Sequence, residues 1–271
     1  MSTNLGGWIN KMGVFHPDEQ PDWLGADANQ QARLLRWTQA RSGRHIELGI
    51  SEMNLFLLLG QLGLSWDLSG QPLIPIGTVY DPFVLRGLDA LIYGVYSGSR
   101  FIVAGTPSGV TLAAEGGAHQ STVTASVGLE LPGLTLIEPA YGVALDWLLR
   151  DAVARTAGAI HEQPTAGPSE DGAFYFRLTT RPLDQAPFEA ARARLGDTVL
   201  RRAVLSGGYR LVDAAREARD HRQPCLGELF GLGVVRLIIV GQGEAAEFGF
   251  AIIEQSCIVC EGHRRCTKPA T

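Results

Sequence analysis

Short, nearly continuous apolar runs alternate along this chain with longer segments whose apolar residues recur every three or four positions. Runs of the first kind are 73–77 (LIPIG), 101–105 (FIVAG), 134–139 (LTLIEP) and 173–178 (AFYFRL). Each reads as a strand buried on both faces. Segments of the second kind cover 81–96 and 141–157. In 81–96, Leu85, Leu88, Leu91 and Ile92 fall at helical spacing; Asp81 is the expected cap and Pro82 suits the first turn. In the stretch 44–61 (RHIELGISEMNLFLLLGQ), His45-Ile46-Glu47-Leu48-Gly49 reads as a strand end closing on a glycine. Ser51 then reads as a helix N-cap, and Leu55-Phe56-Leu57-Leu58-Leu59 as a helix buried on most sides. Strands alternating with helices predict an α/β fold: a doubly wound, mainly parallel sheet with helices on both faces.

The remaining segments are less periodic. Residues 1–15 read as loop, and 27–41 as a helix with Leu34, Leu35 and Trp37 on its buried side. Residues 106–126 read as a long loop rich in Gly, Ser and Thr, and 161–172 as a turn or linker. After Thr180 the register changes: 182–194 reads as linker and 199–212 as an opening strand and turn. The run 234–240 (VVRLIIV) is strand-like within a divergent tail. The expected organisation is one α/β domain over 1–180, a linker and the start of a second domain over 181–217, and a truncated or divergent C-terminal segment over 218–271.

Composition narrows the function classes. With 45% hydrophobic and 19% charged residues over 271 positions, the chain has the balance of a core-forming globular protein. A net charge of −5 gives no reason to expect nucleic acid or a membrane surface as partner. No apolar run reaches the length of a membrane span, and MSTNLGGWINK lacks a charged-then-apolar leader pattern, so cytoplasm is the expected location. All four cysteines lie late in the chain, which does not suggest a disulfide framework for the main domain. Cys257, Cys260, His263 and Cys266 have the ligand types of a zinc site, but they sit closer together than in common zinc modules, and no metal ligands are assigned.

Candidate chemistry centres on Glu52. By spacing alone it is a first-turn carboxylate, favoured there by the helix dipole. The functional alternative is a buried glutamate at the carboxyl end of a strand, where open α/β sheets place their ligands. Gly49-Ile50-Ser51-Glu52 resembles the Gly-Ile-x-Glu of the pyrimidine-binding domain in the thiamine-diphosphate-dependent transketolase superfamily. Glu115-Gly116-Gly117-Ala118-His119-Gln120 resembles the family's glycine-rich loop leading to a histidine near the reacting carbon. Tyr80-Asp81-Pro82-Phe83 resembles the helix start whose aromatics stack on the pyrimidine ring.

The resemblance spans about 3–215 and is closest to the homodimeric-type pyruvate dehydrogenase decarboxylating (first) component. It implies that Glu52 hydrogen-bonds the ring nitrogen of the thiamine diphosphate aminopyrimidine and that Tyr80 and Phe83 sandwich the ring. It implies that His119 handles protons at the substrate carbon, a task suited to a group that titrates near neutrality. After His119, Ser121-Thr122-Val123-Thr124 replaces the pyruvate dehydrogenase pattern. The family's diphosphate and Mg²⁺ motif, Gly-Asp-Gly, has no counterpart: Gly196-Asp197-Thr198 and Glu170-Asp171-Gly172 do not fit it. The expected partner is therefore a diphosphate-binding domain on another chain or subunit, in a homo- or hetero-oligomer. The resemblance implies oxidative decarboxylation of a 2-oxoacid with acyl transfer to a lipoyl acyltransferase. Transketolase-type ketol transfer on sugar phosphates is the alternative within the class. A catalytically silent interaction fragment is the alternative outside it.

Overall fold

The four apolar runs become the parallel strands of one sheet. The structure, a computed structural model, describes residues 11–18, 39–158, 172–212 and 239–240. Strands β3 (Ile76–Val79), β4 (Phe101–Gly105), β6 (Ala173–Arg177) and β5 (Leu134–Ile137) lie side by side in that order, all parallel. β7 (Ile239–Val240) pairs antiparallel with β5. A separate two-stranded parallel sheet joins β1 (Val14–Phe15) to β2 (Gln39–Ala40).

Two cores follow from the alternation of side chains along the strands. Ile102, Ile137, Phe174 and Phe176 face helices α5 (Gly142–Gly158), α6 (Ala186–Leu195) and α7 (Asp197–Leu205), which contribute Leu148, Phe188, Leu200 and Val204. Phe101, Val103, Leu134, Leu136 and Tyr175 face the other way. There they meet Phe56 and Leu59 of α1 (Glu52–Gly63), which the short α2 (Ser65–Ser69) follows, and Leu91 and Val95 of α3 (Leu88–Tyr96). Gly60 and Gly94 oppose each other between α1 and α3; a Cβ on Gly60 would stand 3.5 Å from the Gly94 backbone. The absence of side chains at this crossing lets the two helices pack closely. Helices thus cover both faces of a mainly parallel sheet, as the alternation predicts. No helix among the described residues is long and apolar enough to cross a membrane.

Several expectations are corrected. Residues 46–49 form no strand; His45 makes only a single bridge to Val14. Ile46 is exposed and Ile50 is 92% exposed, and past His45 no strand among the described residues pairs with this segment, so Glu52 does not follow a strand end. Ser51 occupies the N-cap position of α1 without a side-chain cap bond. α1 buries one face only, with Phe56 and Leu59 inside and Leu57 half-exposed. The segment expected as one helix over 81–96 opens as a 3-10 turn, Asp81–Gly87, before α3 begins. Asp81 is not its cap: the carboxylate is fully buried and turned into the sheet. The loop expected over 106–126 ends in a helix, α4 (Thr124–Glu130). The segment expected as linker and opening strand holds α6 and α7 instead, because Phe188 with Ala191 and Leu200 with Val204 present apolar faces at helical spacing. The first strand begins at Ile76 rather than Leu73. Gln39 and Ala40 are a strand rather than a helix end, and Val14 and Phe15 a strand rather than loop. Residues 27–38 and 161–171, 234–238 of the strand-like run, and the four candidate zinc ligands lie outside the described residues.

Candidate functional site

Parallel strands open all their carboxyl ends on one edge. Tyr80 and Asp81 follow β3, the loop from Thr106 to Ser121 follows β4, Glu138 follows β5, and Arg177 ends β6. Registers Val103↔Tyr175 and Gly105↔Arg177 put a glycine beside the arginine. A side chain at Gly105 would overlap the Asp81 carboxylate, so the glycine leaves the space that Asp81 fills.

Asp81 accepts hydrogen bonds from the hydroxyls of Ser121, Thr124 (2.9 Å) and Tyr175, and Arg177 Nε lies 3.5 Å away. Arg177 also donates to both Glu138 oxygens at 2.9 Å and to the Ser121 carbonyl at 2.7 Å. Asp81, Arg177 and Tyr175 are essentially shut off from solvent, so their polar atoms need these partners. Burial pushes the Glu138 carboxyl above the usual carboxylate range, and the Arg177 guanidinium only partly offsets it. Burial, then the adjacent Asp81 charge, pushes the Tyr175 phenol strongly upward.

One residue from Asp81, the Tyr80 side chain meets His119: its hydroxyl lies 2.6 Å from His119 Nδ1. The two rings are 5.8 Å apart. Phe83 stands edge-on to Tyr80 at 5.1 Å and 83°, and the Arg86 guanidinium lies 3.9 Å over the Phe83 ring. Glu115 Oε2 lies 3.6 Å from the same His119 nitrogen, an ion pair only when the imidazole is charged. Burial, and secondarily the Glu115 charge, raise the Tyr80 phenol. That phenol is therefore neutral at physiological pH. Beside an uncharged imidazole its O–H donates to Nδ1, which leaves the proton of the ring on Nε2.

Three of the four expected site residues, Tyr80, Phe83 and His119, thus lie together. Glu52 opens α1, and its backbone backs the end of the 3-10 turn: a Cβ on Gly87 would come 2.8 Å from the Glu52 carbonyl oxygen. Its half-buried side chain makes no hydrogen bond or ion pair among the described residues. The set of Asp81, Ser121, Thr124, Tyr175 and Arg177, all buried, with the half-buried Glu138, was not expected. One signal for it exists in the sequence: Arg177 interrupts a strand otherwise buried on both faces, and such a charge requires a partner. Asp81 and Glu138 stand just past the ends of two other such strands. On the same edge, a cleft of about 320 Å³ is lined by Thr106, Tyr141, Gly142, Thr179 and Arg181, among others. No group of three or more potential metal ligands occurs among the described residues.

No protein-family model matches the chain. Among curated proteins it is similar to the 6-deoxy-6-sulfo-D-fructose transketolase subunit SqwH of Clostridium sp. (strain MSTE9), with 26% identity over 204 residues, 73% of this chain and 57% of the relative. The chain therefore spans somewhat more than half the length of that relative. Among solved structures it is similar to transketolase from Leishmania mexicana, with a TM-score of 0.46 and 20% identity over 79% of this chain and 28% of that one. The similarity to a transketolase subunit supports the transketolase superfamily. It lends nothing to the expected closeness to the pyruvate dehydrogenase first component, nor to a lipoyl acyltransferase partner.

Proposed function

We propose that this chain is the pyrimidine-binding part of a thiamine-diphosphate-dependent transketolase-type enzyme, which transfers a ketol unit from a ketose. A domain on another chain would hold the cofactor's diphosphate and Mg²⁺. The observation that carries this reading is the Tyr80–Phe83–His119 group on the carboxyl edge of the sheet. It is joined by sequence similarity to a transketolase subunit. That relative's name specifies a ketose with a terminal sulfonate; a sugar phosphate is the same kind of substrate with a different anion.

The residues present suit the cofactor. Tyr80 and Phe83 are half-buried aromatics whose ring surfaces suit a flat heterocycle, and Glu52 is an acceptor with no partner among the described residues. Thiamine diphosphate, when bound, supplies the carbon nucleophile and electron sink that cleaving a ketose requires. The chain's own share is to orient and to move protons. Tyr80 and Phe83 stand edge to face with each other, so they do not sandwich the ring as expected; one of them would stack on it, and Glu52 would accept a hydrogen bond from it. His119, holding its proton on Nε2, presents a donor to a substrate oxygen. On gaining a second proton, its Nδ1–H donates to the Tyr80 oxygen, with Glu115 beside it.

The test is calorimetric titration of thiamine diphosphate and Mg²⁺ into this chain, alone and mixed with a candidate diphosphate-domain chain. Ketol transfer is then assayed from fructose 6-phosphate and from 6-deoxy-6-sulfofructose. Binding only in the mixture, with turnover of either ketose, supports the reading. No binding in either case overturns it.

A further inference from the structure

Tyr80 and Asp81 are adjacent in sequence but act in opposite directions. Tyr80 reaches out to His119, and Asp81 reaches into the sheet to Ser121. His119 and Ser121 are two residues apart on the loop that follows β4. The four residues therefore close a ring: Tyr80 hydroxyl to His119, along the chain to Ser121, from its hydroxyl to Asp81, and back to Tyr80.

Ser121 is the fixed point of that ring, and every polar atom it has is engaged. Its N–H donates to the Gly109 carbonyl at 2.9 Å, and its carbonyl accepts from Arg177 at 2.7 Å. Its hydroxyl accepts from the Gly109 N–H at 2.9 Å and donates to Asp81. The loop is thus stapled at its base, Gly109 to Ser121, and the staple is fastened to the sheet through Asp81. Between these two residues the loop has only short 3-10 turns, Ala113–Glu115 and Gly117–His119. Of these residues His119 bears on the site, and the turn Gly117–His119 has no buried side chain to anchor it. The position of His119 is set by its own bond to Tyr80, with Glu115 beside it, by the Thr111–Thr179 hydroxyl bond (2.8 Å) earlier in the loop, and by the Ser121–Asp81 bond two residues on.

We infer that Asp81 is a positioning residue for His119: its buried carboxylate holds the base of the His119 loop and, through the adjacent Tyr80, the hydrogen-bond partner that selects the His119 tautomer. Arg177 and Tyr175 serve the same end by holding Asp81. This inference rests on the proposed role of His119, but its test does not need the cofactor, the partner chain or turnover. The long-range ¹H–¹⁵N spectrum of the histidine rings is recorded on the full chain alone, with His119 assigned by comparison with His119→Gln. The expected wild-type signature is two well-separated ¹⁵N signals, with the proton on Nε2. In Ser121→Ala, which keeps Thr124, Tyr175 and Arg177 around Asp81, the two signals move together toward the average of both tautomers, while the far-UV circular dichroism is unchanged. Asp81→Asn does the same where it folds; Ser121→Ala decides the matter where it does not. A residue that only stabilised the fold would lower the melting temperature and leave the tautomer alone. An unchanged His119 signature in folded Ser121→Ala, or averaged signals already in the wild type, overturns the inference. Failure of the function proposal shows separately, in the thiamine diphosphate titration.

Discussion

Replacing Arg177 with methionine tests the buried ionic knot directly. Methionine keeps the apolar stem and removes the guanidinium. Asp81 loses its longest contact, 3.5 Å, and retains three hydroxyl donors, so its share of the penalty is small. Glu138 loses two bonds of 2.9 Å, but its side chain is 29% exposed and regains some water. The Ser121 carbonyl is left without its donor in a buried position, which costs about 1–3 kcal/mol. With the unpaired carboxylates added, the total falls in the range of about 3–5 kcal/mol seen when one partner of a buried pair is removed. That shifts the folded-to-unfolded ratio by roughly a thousandfold. Urea denaturation at pH 7 measures it as a lower midpoint at unchanged slope. The sign with pH follows from Glu138. Its folded value is already raised, and loss of Arg177 raises it further. The protonated form needs no counter-ion, so the penalty of the variant shrinks as pH falls below the folded value of Glu138. A loss under about 1 kcal/mol at pH 7, or a penalty that grows toward pH 4, refutes the reasoning.

Three other outcomes follow from the same geometry. A carboxyl raised on folding contributes stability below its unfolded value, and that contribution disappears as pH rises through the folded one. The melting temperature of wild type relative to Glu138→Gln should therefore fall between pH 3 and neutrality, and a relative rise measured by calorimetry contradicts it. Gly105→Ala places a methyl group into the Asp81 carboxylate and 2.9 Å from the Tyr175 ring. It should cost about 1–3 kcal/mol in thermal melts, and a neutral result would put Asp81 elsewhere. Glu52→Ala removes a carboxylate without a partner in the described structure, so stability should change by under about 1 kcal/mol, the worth of a first-turn charge. The same variant should abolish thiamine-dependent turnover in a reconstituted complex; full activity there would end the role proposed for Glu52.

The sheet was legible because parallel strands buried on both faces leave a strong mark. The run 101–105 coincides with β4, and 134–139 and 173–178 overshoot their strands by two residues and one. Segments whose structure depends on tertiary contacts were not legible. The strand expected over 45–49 pairs only at His45, with Val14, among the described residues, and the 186–205 helices are organised by burial of Phe188, Leu200 and Val204 against the sheet. The local pattern at Asp81-Pro82 is that of a helix start, and a helix start does form there. Capping explains why an acid is common at such a position, but not where this side chain goes. Its direction depends on a vacancy created by Gly105, 24 residues on, and on donors from Ser121, Thr124 and Tyr175.

The meeting of Tyr80, Phe83 and His119 has the opposite origin. Each follows a strand end, and the carboxyl ends of the parallel strands share one edge, so the three side chains stand together there. What holds them there is carried by residues that look ordinary one at a time: a serine in a polar loop, an aspartate before a proline, an arginine in an apolar run. Only the arginine breaks a local rule. A charge in a doubly buried strand demands compensation, and the carboxylates that supply it, Asp81 and Glu138, stand just past the carboxyl ends of two other strands. The position of each acid past a neighbouring strand is thus itself the mark of its pairing with Arg177. Glu52, half-buried at the start of α1, has no such compelled partner, whereas Asp81, with no exposure at all, must have one.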